Sequence, residues 1–294
     1  MRNKKIIIIP NFCEAHLIKL QIPNLINTIA PHIIIYNEGL FPTGPESKLI
    51  ITKEFKDKYC YKNTNLGFDT EEVQDIIKTA QKKYPQVKFI HNEMKYPPNI
   101  KAEDAYTLAV SNFGDLGVKI NKGDYLFPYE PDIFHLETSK EEIQNYLSQL
   151  NPDQGFRSTW IDFLETQYFT EYYNTLHPKS RKLCIRFGTM DFYKKVVSQF
   201  ITQAYDMLHP TDLVTYHYSW FRYGKYKKHR YDLIPRGNPN YWENFEKGLQ
   251  EIKKNTQNKI ILRPNYPKNH PMRYAVKINL PQPEAIKSHP NYLK

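Results

Sequence analysis

Three features of the sequence predict an α/β protein with a mostly parallel sheet flanked by helices. Strand-like and helix-like segments alternate as β-α-β-α-β-α-β-α over residues 1–150. The early strand candidates are unbroken runs of β-branched residues, the pattern of strands buried on both faces. Helix starts carry capping signals, as at Asp69-Thr70-Glu71-Glu72 and at Ser139 with Glu142. Residues 151–294 read as a mixed α/β half. With neither an internal repeat nor a low-complexity linker between them, the two halves are expected to pack as one unit.

Each element has its own local reason. "KKIIIIP" places Ile6–Ile9 between charges and a proline, which reads as a buried parallel strand stopped at Pro10. Residues 14–29 carry apolar positions at Leu17, Ile18, Leu20, Ile22, Leu25 and Ile26, a helix kinked or divided near Pro23. "HIIIYNEG" is a second buried strand, with Asn37 and Glu38 at its end and a Gly/Pro loop after it. The helix from Asp69 buries Val73, Ile76, Ile77 and Ala80 and stops before Pro85, and "VKFI" follows as a third strand. Residues 102–117 read as a helix with two late glycines, and "DYLFPYE" as a fourth strand. Ser139 opens a helix that buries Ile143, Tyr146 and Leu147.

The second half is less regular. "KLCIRF", "LVTYHYSWF" and "KIILRP" read as strands, and 191–206 and the stretch after Asn238-Pro239 as helices. The tail from Asn265 is rich in Pro, His and Lys and is expected to wrap the surface.

The chain has 294 residues with a formal charge of +10, which favours polyanionic partners such as phosphates or nucleic acid. Its 23 tyrosines offer flat apolar area with a polar tip, suited to sugars and bases as well as to interfaces. Cys13, Cys60 and Cys184 have neither paired nor zinc-binding spacing and read as reduced thiols. The apolar run at Ile6–Ile9 is too short for a signal peptide, and no stretch is long enough to span a bilayer. The expectation is a cytoplasmic protein, in the host cytoplasm if viral, with no stable membrane insertion. Gly114 and Gly117 lack dinucleotide-binding spacing, and no P-loop, HExxH or GxSxG occurs.

The segment "KGDYLFPYEPDIFHLE" (122–137) raises the main chemical question. An apolar strand ends in Glu130-Pro131-Asp132, two carboxylates one residue apart. Side by side they repel, and a divalent cation removes that cost. Oxygen-rich, partly open coordination suits Mn²⁺ or Mg²⁺ holding phosphates. The bland alternative is a solvated turn. In parallel α/β sheets ligands bind beyond the carboxyl ends of the strands, where Glu38, Glu130 and Asp132 fall.

This segment resembles the one in which nucleotide-sugar glycosyltransferases of the GT-A fold, family-2-like, carry a DXD motif. Here Glu130 stands in place of the first Asp, making the motif ExD. "AVSNFGD", "IIIYNEGLFPTGPES" and "IIIIPNFCEAHLI" are similar to further segments of that family, and the likeness covers about residues 4–137. The resemblance implies a GT-A-like fold and a metal-dependent hexosyl transfer from a nucleotide-sugar, most simply a UDP-sugar. It implies donor contacts from Glu14, Glu38, Asn112 and Glu130. "HYSW" followed by a basic stretch resembles phage and bacterial members. That likeness implies His217 as a third metal ligand beside Glu130 and Asp132, the alternative being a tyrosine-flanked core histidine. The basic run Arg222, Lys225, Lys227, Lys228, His229 and Arg230 reads as a clamp on the diphosphate or, alternatively, as a solvated charged face. The second half would then be the acceptor side. The catalytic base is sought there among Asp162, Glu165, Glu171 and Asp191, with Glu165 and Asp191 taken as the catalytic candidates; the alternative for each is a surface helix charge. The acceptor is a glycan or small molecule, or a hydroxymethylated base in DNA. A different class of reading is a non-enzymatic basic nucleic-acid-binding protein.

With DNA as acceptor, the basic stretch 222–230 contacts phosphates, and affinity falls steeply as salt rises. Replacing Lys227 and Lys228 by Ala is expected to flatten that dependence in an anisotropy titration. Binding that ignores salt would favour the glycan acceptor.

Overall fold

The computed structural model describes residues 3–11, 14–39, 70–94, 116–121, 123–151, 154–163, 168–170, 186–189 and 208–218. In the C-terminal part it describes 247, 248, 250–252, 254, 258–261, 264, 267–269, 273–277 and 280–289. The first half contains β1 (Lys5–Asn11), α1 (Ala15–Thr28), β2 (Ile33–Gly39), α2 (Thr70–Lys83) and β3 (Lys88–Met94). It continues with β4 (Tyr125–Pro128), β5 (Ile133–Phe134), a 3₁₀ turn (Glu137–Ser139) and α3 (Lys140–Gln149). Next come β6 (Gly155–Asp162), β7 (Tyr168–Thr170), β8 (Arg186–Thr189), β9 (Leu208–His217), β10 (Lys259–Ile261), β11 (Tyr274–Lys277) and α4 (Glu284–Lys287).

One sheet runs β3-β2-β1-β4-β8-β6-β9-β5, and a second runs β10-β11-β7. The four strands β3, β2, β1 and β4 are all parallel, so the α/β class holds. Beyond β4 the sheet becomes mixed. β8 is antiparallel to both β4 and β6, β9 is parallel to β6, and β5 is antiparallel to β9. Strands from both sides of residue 150 thus share one sheet. Chain order steps outward from β1 to β2 and β3, then returns to β4 on the other side of β1. The carboxyl ends of β1 and β4 therefore flank the point where strand order reverses, the usual place for a crevice.

Ile6, Ile7, Ile8 and Ile9 are each at most 1% exposed, so both faces of β1 are covered. Burying such a side chain contributes about 1.5–3 kcal/mol, an upper estimate against a compact unfolded chain. Ile7, Ile9, Ile34, Tyr36 and Phe89 form one cluster with α1 (Ile18, Ile22, Leu25), α2 (Val73, Ile77) and α3 (Ile143, Leu147). A second cluster joins Leu17, Phe134, Phe163, Tyr216, Tyr218 and Ile286, with Phe163 stacked on Tyr216 and Tyr218 at 5.2 and 5.4 Å. Asp124, buried in the turn before β4, accepts the Lys4 N–H at 2.7 Å and the Asn121 N–H at 2.8 Å. It ties the start of β1 to β4, and charge-assisted bonds of this kind contribute about 1.5–3 kcal/mol each.

Several sequence expectations need correction. β1 does not stop at Pro10. Even-numbered residues of β1 face β4, as the Tyr125 N–H to Lys4 and Tyr129 N–H to Ile8 bonds show, and β4 ends at Pro128. The N–H that Pro10 lacks falls just past that end, where no ladder bond is required. α1 is a single helix through Pro23. The carbonyl deprived of a donor is that of Lys19, a residue on the exposed face of the helix, where solvent is at hand to satisfy it. The Ser139 capping box does not form: Ser139 closes the 3₁₀ turn in helical conformation, so its hydroxyl makes no cap bond. "LVTYHYSWF" begins its strand five residues early, at Leu208, and leaves it at His217. The tail does more than wrap the surface. It supplies β11, and Ile286 and His289 are buried, the His289 ring lying edge-on to His16 of α1 at 5.5 Å. Gly117 forms a left-handed turn (φ 64°) rather than helix; the rest of 102–115, the helix expected over 191–206 and the three cysteines lie outside the described residues.

His135 is fully buried, and its Nε2 lies 2.6 Å from the Tyr129 hydroxyl. Burial lowers its pKa from 6.5 to about 4, against a smaller opposing effect of a backbone hydrogen bond with Val214. The unfolded chain therefore takes up a proton here before the folded one does. The contribution is intact above about pH 6.5 and is lost as pH falls towards 4, worth about 3 kcal/mol in all. Urea unfolding at about pH 7.5 and about pH 4.5 checks this. A His135→Gln variant is expected to lose about 2–3 kcal/mol less than the wild type over that interval, which covers most of the titration.

Candidate metal centre

The carboxylates sit on a turn that the backbone holds from three directions. The Ile133 N–H donates to the Glu130 carbonyl at 3.2 Å, closing a four-residue turn with Pro131 in its second position. Proline suits that position because its fixed φ matches the turn. The Tyr218 N–H donates to the Asp132 carbonyl at 2.8 Å from the β9 side. From the helix side, Gln21 Nε2 of α1 donates to the carbonyls of Glu130 (2.6 Å) and Ile133 (3.1 Å). Immediately before the turn, the Tyr129 N–H donates to Ile8 of β1 at 2.9 Å.

His217 reaches the turn through the sheet. It ends β9 between β5, where Ile133 is its partner, and β6, where Asp162 is its partner. The Phe163 N–H donates to the His217 carbonyl at 2.7 Å. Strand alternation sends Tyr216 and Tyr218 into the aromatic cluster and His217 to the other face. His217 Nε2 lies 3.2 Å from Asp132 Oδ2, an ion pair when the imidazole is protonated.

Glu130, Asp132 and His217 each bring one ligand atom to within 4.8 Å of the others. Asp132 is fully buried, His217 is 7% exposed, and Glu130 is half-buried at the open side. The donor set fits a divalent cation. Neighbouring donors on one ion, each about 2.1 Å away, stand about 3 Å apart, and opposite ones about 4.2 Å apart. Carboxylate oxygens and an imidazole nitrogen are both accepted by such ions.

The other expected site residues fall as follows. Glu14 is fully buried at the N-cap of α1, beyond the carboxyl end of β1, and its carbonyl accepts the Leu17 and Ile18 N–H groups. Glu38 is in β2, in register with Asn11 and Glu93; one residue earlier, Asn37 accepts from Asn92 Nδ2 at 2.8 Å. Asp162 is on a strand rather than a surface helix, because 155–162 pairs with both β8 and β9. Asn112, Glu165, Glu171, Asp191, Arg222 and Lys225 lie outside the described residues.

Gln21, Asn24 and Thr28 are the residues that sequence reasoning missed. All three are buried on α1. Polar residues at i, i+3 and i+7 along an otherwise apolar helix stripe were the available signal, because they mark a face packed against backbone rather than side chains. Comparison with known proteins finds no family model and no curated protein that matches the chain.

A cation bound only by the folded protein raises its melting temperature, by about 2.7 kcal/mol of stability at a hundredfold excess over Kd. Mn²⁺ is expected to stabilise the wild type in a melting experiment. Asp132→Asn is expected to lose that stabilisation while melting no lower without metal, since it removes like-charge repulsion beside Glu130. His217→Ala is expected to weaken the effect less.

Proposed function

We propose that this protein is a metal-dependent glycosyltransferase of GT-A-like fold that moves a sugar from a nucleotide-sugar, a UDP-sugar being the simplest candidate, to an acceptor hydroxyl. The observation that carries the reading is the convergence of Glu130, Asp132 and His217 just beyond β4, beside the point where strand order reverses. That is where an α/β sheet receives a nucleotide. Glu130, Asp132 and His217 would hold the cation, and the nitrogen donor favours Mn²⁺ over Mg²⁺. Such a cation supplies positive charge against the leaving nucleoside diphosphate.

The chain's own residues have distinct parts. Buried Asp132 and His217 fix the inner side of the site, and half-buried Glu130 stands at its mouth. Glu14 and Glu38, at the ends of β1 and β2, would border the nucleoside. In the transfer, the acceptor oxygen forms a bond to the anomeric carbon, the bond from that carbon to the diphosphate oxygen breaks, and a carboxylate takes the acceptor proton. Of the acceptor-side carboxylates, Asp162 has its backbone in register with His217. The charge of +10 favours DNA over a glycan as acceptor.

A panel of nucleotide-sugars tested by melting temperature with and without Mn²⁺, followed by donor hydrolysis and transfer assays, tests the reading. A stabilising donor that needs Mn²⁺ is expected. Asp132→Asn is expected to lose turnover by several kcal/mol of transition-state stabilisation while remaining folded. Wild-type turnover with unchanged metal dependence in that variant would overturn the assignment. DNA binding without any response to nucleotide-sugars would favour the non-enzymatic reading.

A further inference from the structure

Gln21 contributes no ligand to the metal centre, yet it touches both ends of the turn that carries the carboxylates. Its side chain is fully buried. The carbonyls of Glu130 and Ile133 converge on its Nε2, at 2.6 and 3.1 Å. Two acceptors meeting at one atom require a donor with two hydrogens. An amide NH₂ supplies them, a hydroxyl supplies one, and a carboxylate supplies none. The same requirement fixes which way the amide points.

The mechanical consequence follows from the charges. Glu130 and Asp132 repel when both are ionised, which favours opening of the four-residue turn from Glu130 to Ile133 unless its ends are tied. The turn's own bond from the Ile133 N–H is long, 3.2 Å. Gln21 spans the same two residues with a shorter contact, from a helix that is itself anchored in the core through Ile18, Ile22 and Leu25. One turn further along α1, Asn24 Nδ2 donates to the His135 carbonyl (2.7 Å) and Asn24 Oδ1 accepts the His135 N–H (3.0 Å). Asn24 therefore secures the chain after β5 and provides a contrast that leaves the turn alone.

We propose that Gln21 is a positioning residue of the metal centre: its amide clamps the Glu130–Ile133 turn so that both carboxylates and His217 meet one cation. The proposal rests on reading that cluster as a cation site.

The test uses the full chain as wild type, Gln21→Met, Gln21→Asn and Asn24→Ala. Mn²⁺ affinity is read from the free-ion resonance signal, and stability from metal-free urea unfolding. Gln21→Met keeps the length without donors. Gln21→Asn keeps the amide but is one methylene short of both carbonyls, and it carries the comparison if the methionine variant fails to fold. Both are expected to bind Mn²⁺ about 10-fold or more weakly than wild type, as losses of outer support do, while Asn24→Ala loses stability but stays within about 2-fold. Wild-type affinity in a folded Gln21 variant would overturn the proposal and leave the cation site standing. Equal weakening by Asn24→Ala would overturn it too, by tracing the effect to general destabilisation. A wild type that binds no Mn²⁺ would remove the cation site itself and the proposal with it.

Discussion

The short pairing of β5 with β9 is the constraint on which the site depends, because it brings together chain segments that share no local contact. Ile133 and His217 are direct partners, and the residue before Ile133 is Asp132. Asp132 lies in the turn just before β5 rather than on the strand, so its carboxylate is not bound by strand alternation and meets the imidazole, Oδ2 to His217 Nε2 at 3.2 Å. The Tyr218 N–H bond to the Asp132 carbonyl continues the ladder by one residue and fixes the register. A slip of one residue would turn His217 towards the aromatic cluster and a tyrosine towards the carboxylates. The stacking of Tyr216 and Tyr218 on Phe163 opposes that slip, so the apolar side of β9 enforces the geometry of its polar side.

Helix α1 plays the complementary part. Most amphipathic helices bury apolar side chains against other side chains. α1 does so with Ile18, Ile22 and Leu25, but it also turns Gln21 and Asn24 inward against bare backbone of the 130–135 segment. The two-residue β5 has few ladder bonds of its own, and a buried carbonyl without a partner costs about 1–3 kcal/mol. Side-chain amides supply what a longer strand would have supplied. This lets the chain leave β4, turn sharply at Pro131 and still enter the sheet within a few residues.

Much of this architecture is legible in the sequence where burial is continuous. The isoleucine runs of β1 and β2 announce themselves, as do the apolar stripe of α2 and the break at Glu130-Pro131-Asp132. What is hard to read is local structure imposed from afar. β5 is two residues long, too short for any periodicity. β6 carries Arg157, Ser158 and Thr159 within its span, and it is a strand because β8 and β9 lie on either side of it. Pro10 and Pro23 read as breakers but fall where the lost N–H has no required partner. His217 is pointed to by the likeness of its "HYSW" segment, its tyrosine neighbours by themselves suggesting a core histidine, whereas Gln21 and Asn24 could be found only by asking why an apolar stripe tolerates amides.

The buried tail has a consequence for how the molecule comes into being. Tyr218 donates its hydroxyl hydrogen to Gln282, at 2.5 Å, while its backbone N–H holds Asp132. Ile286 fills the cluster that Leu17 of α1 and Phe134 of β5 share. The carboxylates, the helix that holds them, the imidazole and this final brace are separated by long stretches of chain, so joining them requires closing large loops late in folding. During synthesis the first half can collapse around its own isoleucines as it emerges. The neighbourhood of Asp132 reaches its finished form only after residue 286 has left the ribosome. The geometry around Glu130, Asp132 and His217 thus depends on residues far downstream, and a partly made molecule carries the acidic turn without the partners that complete it.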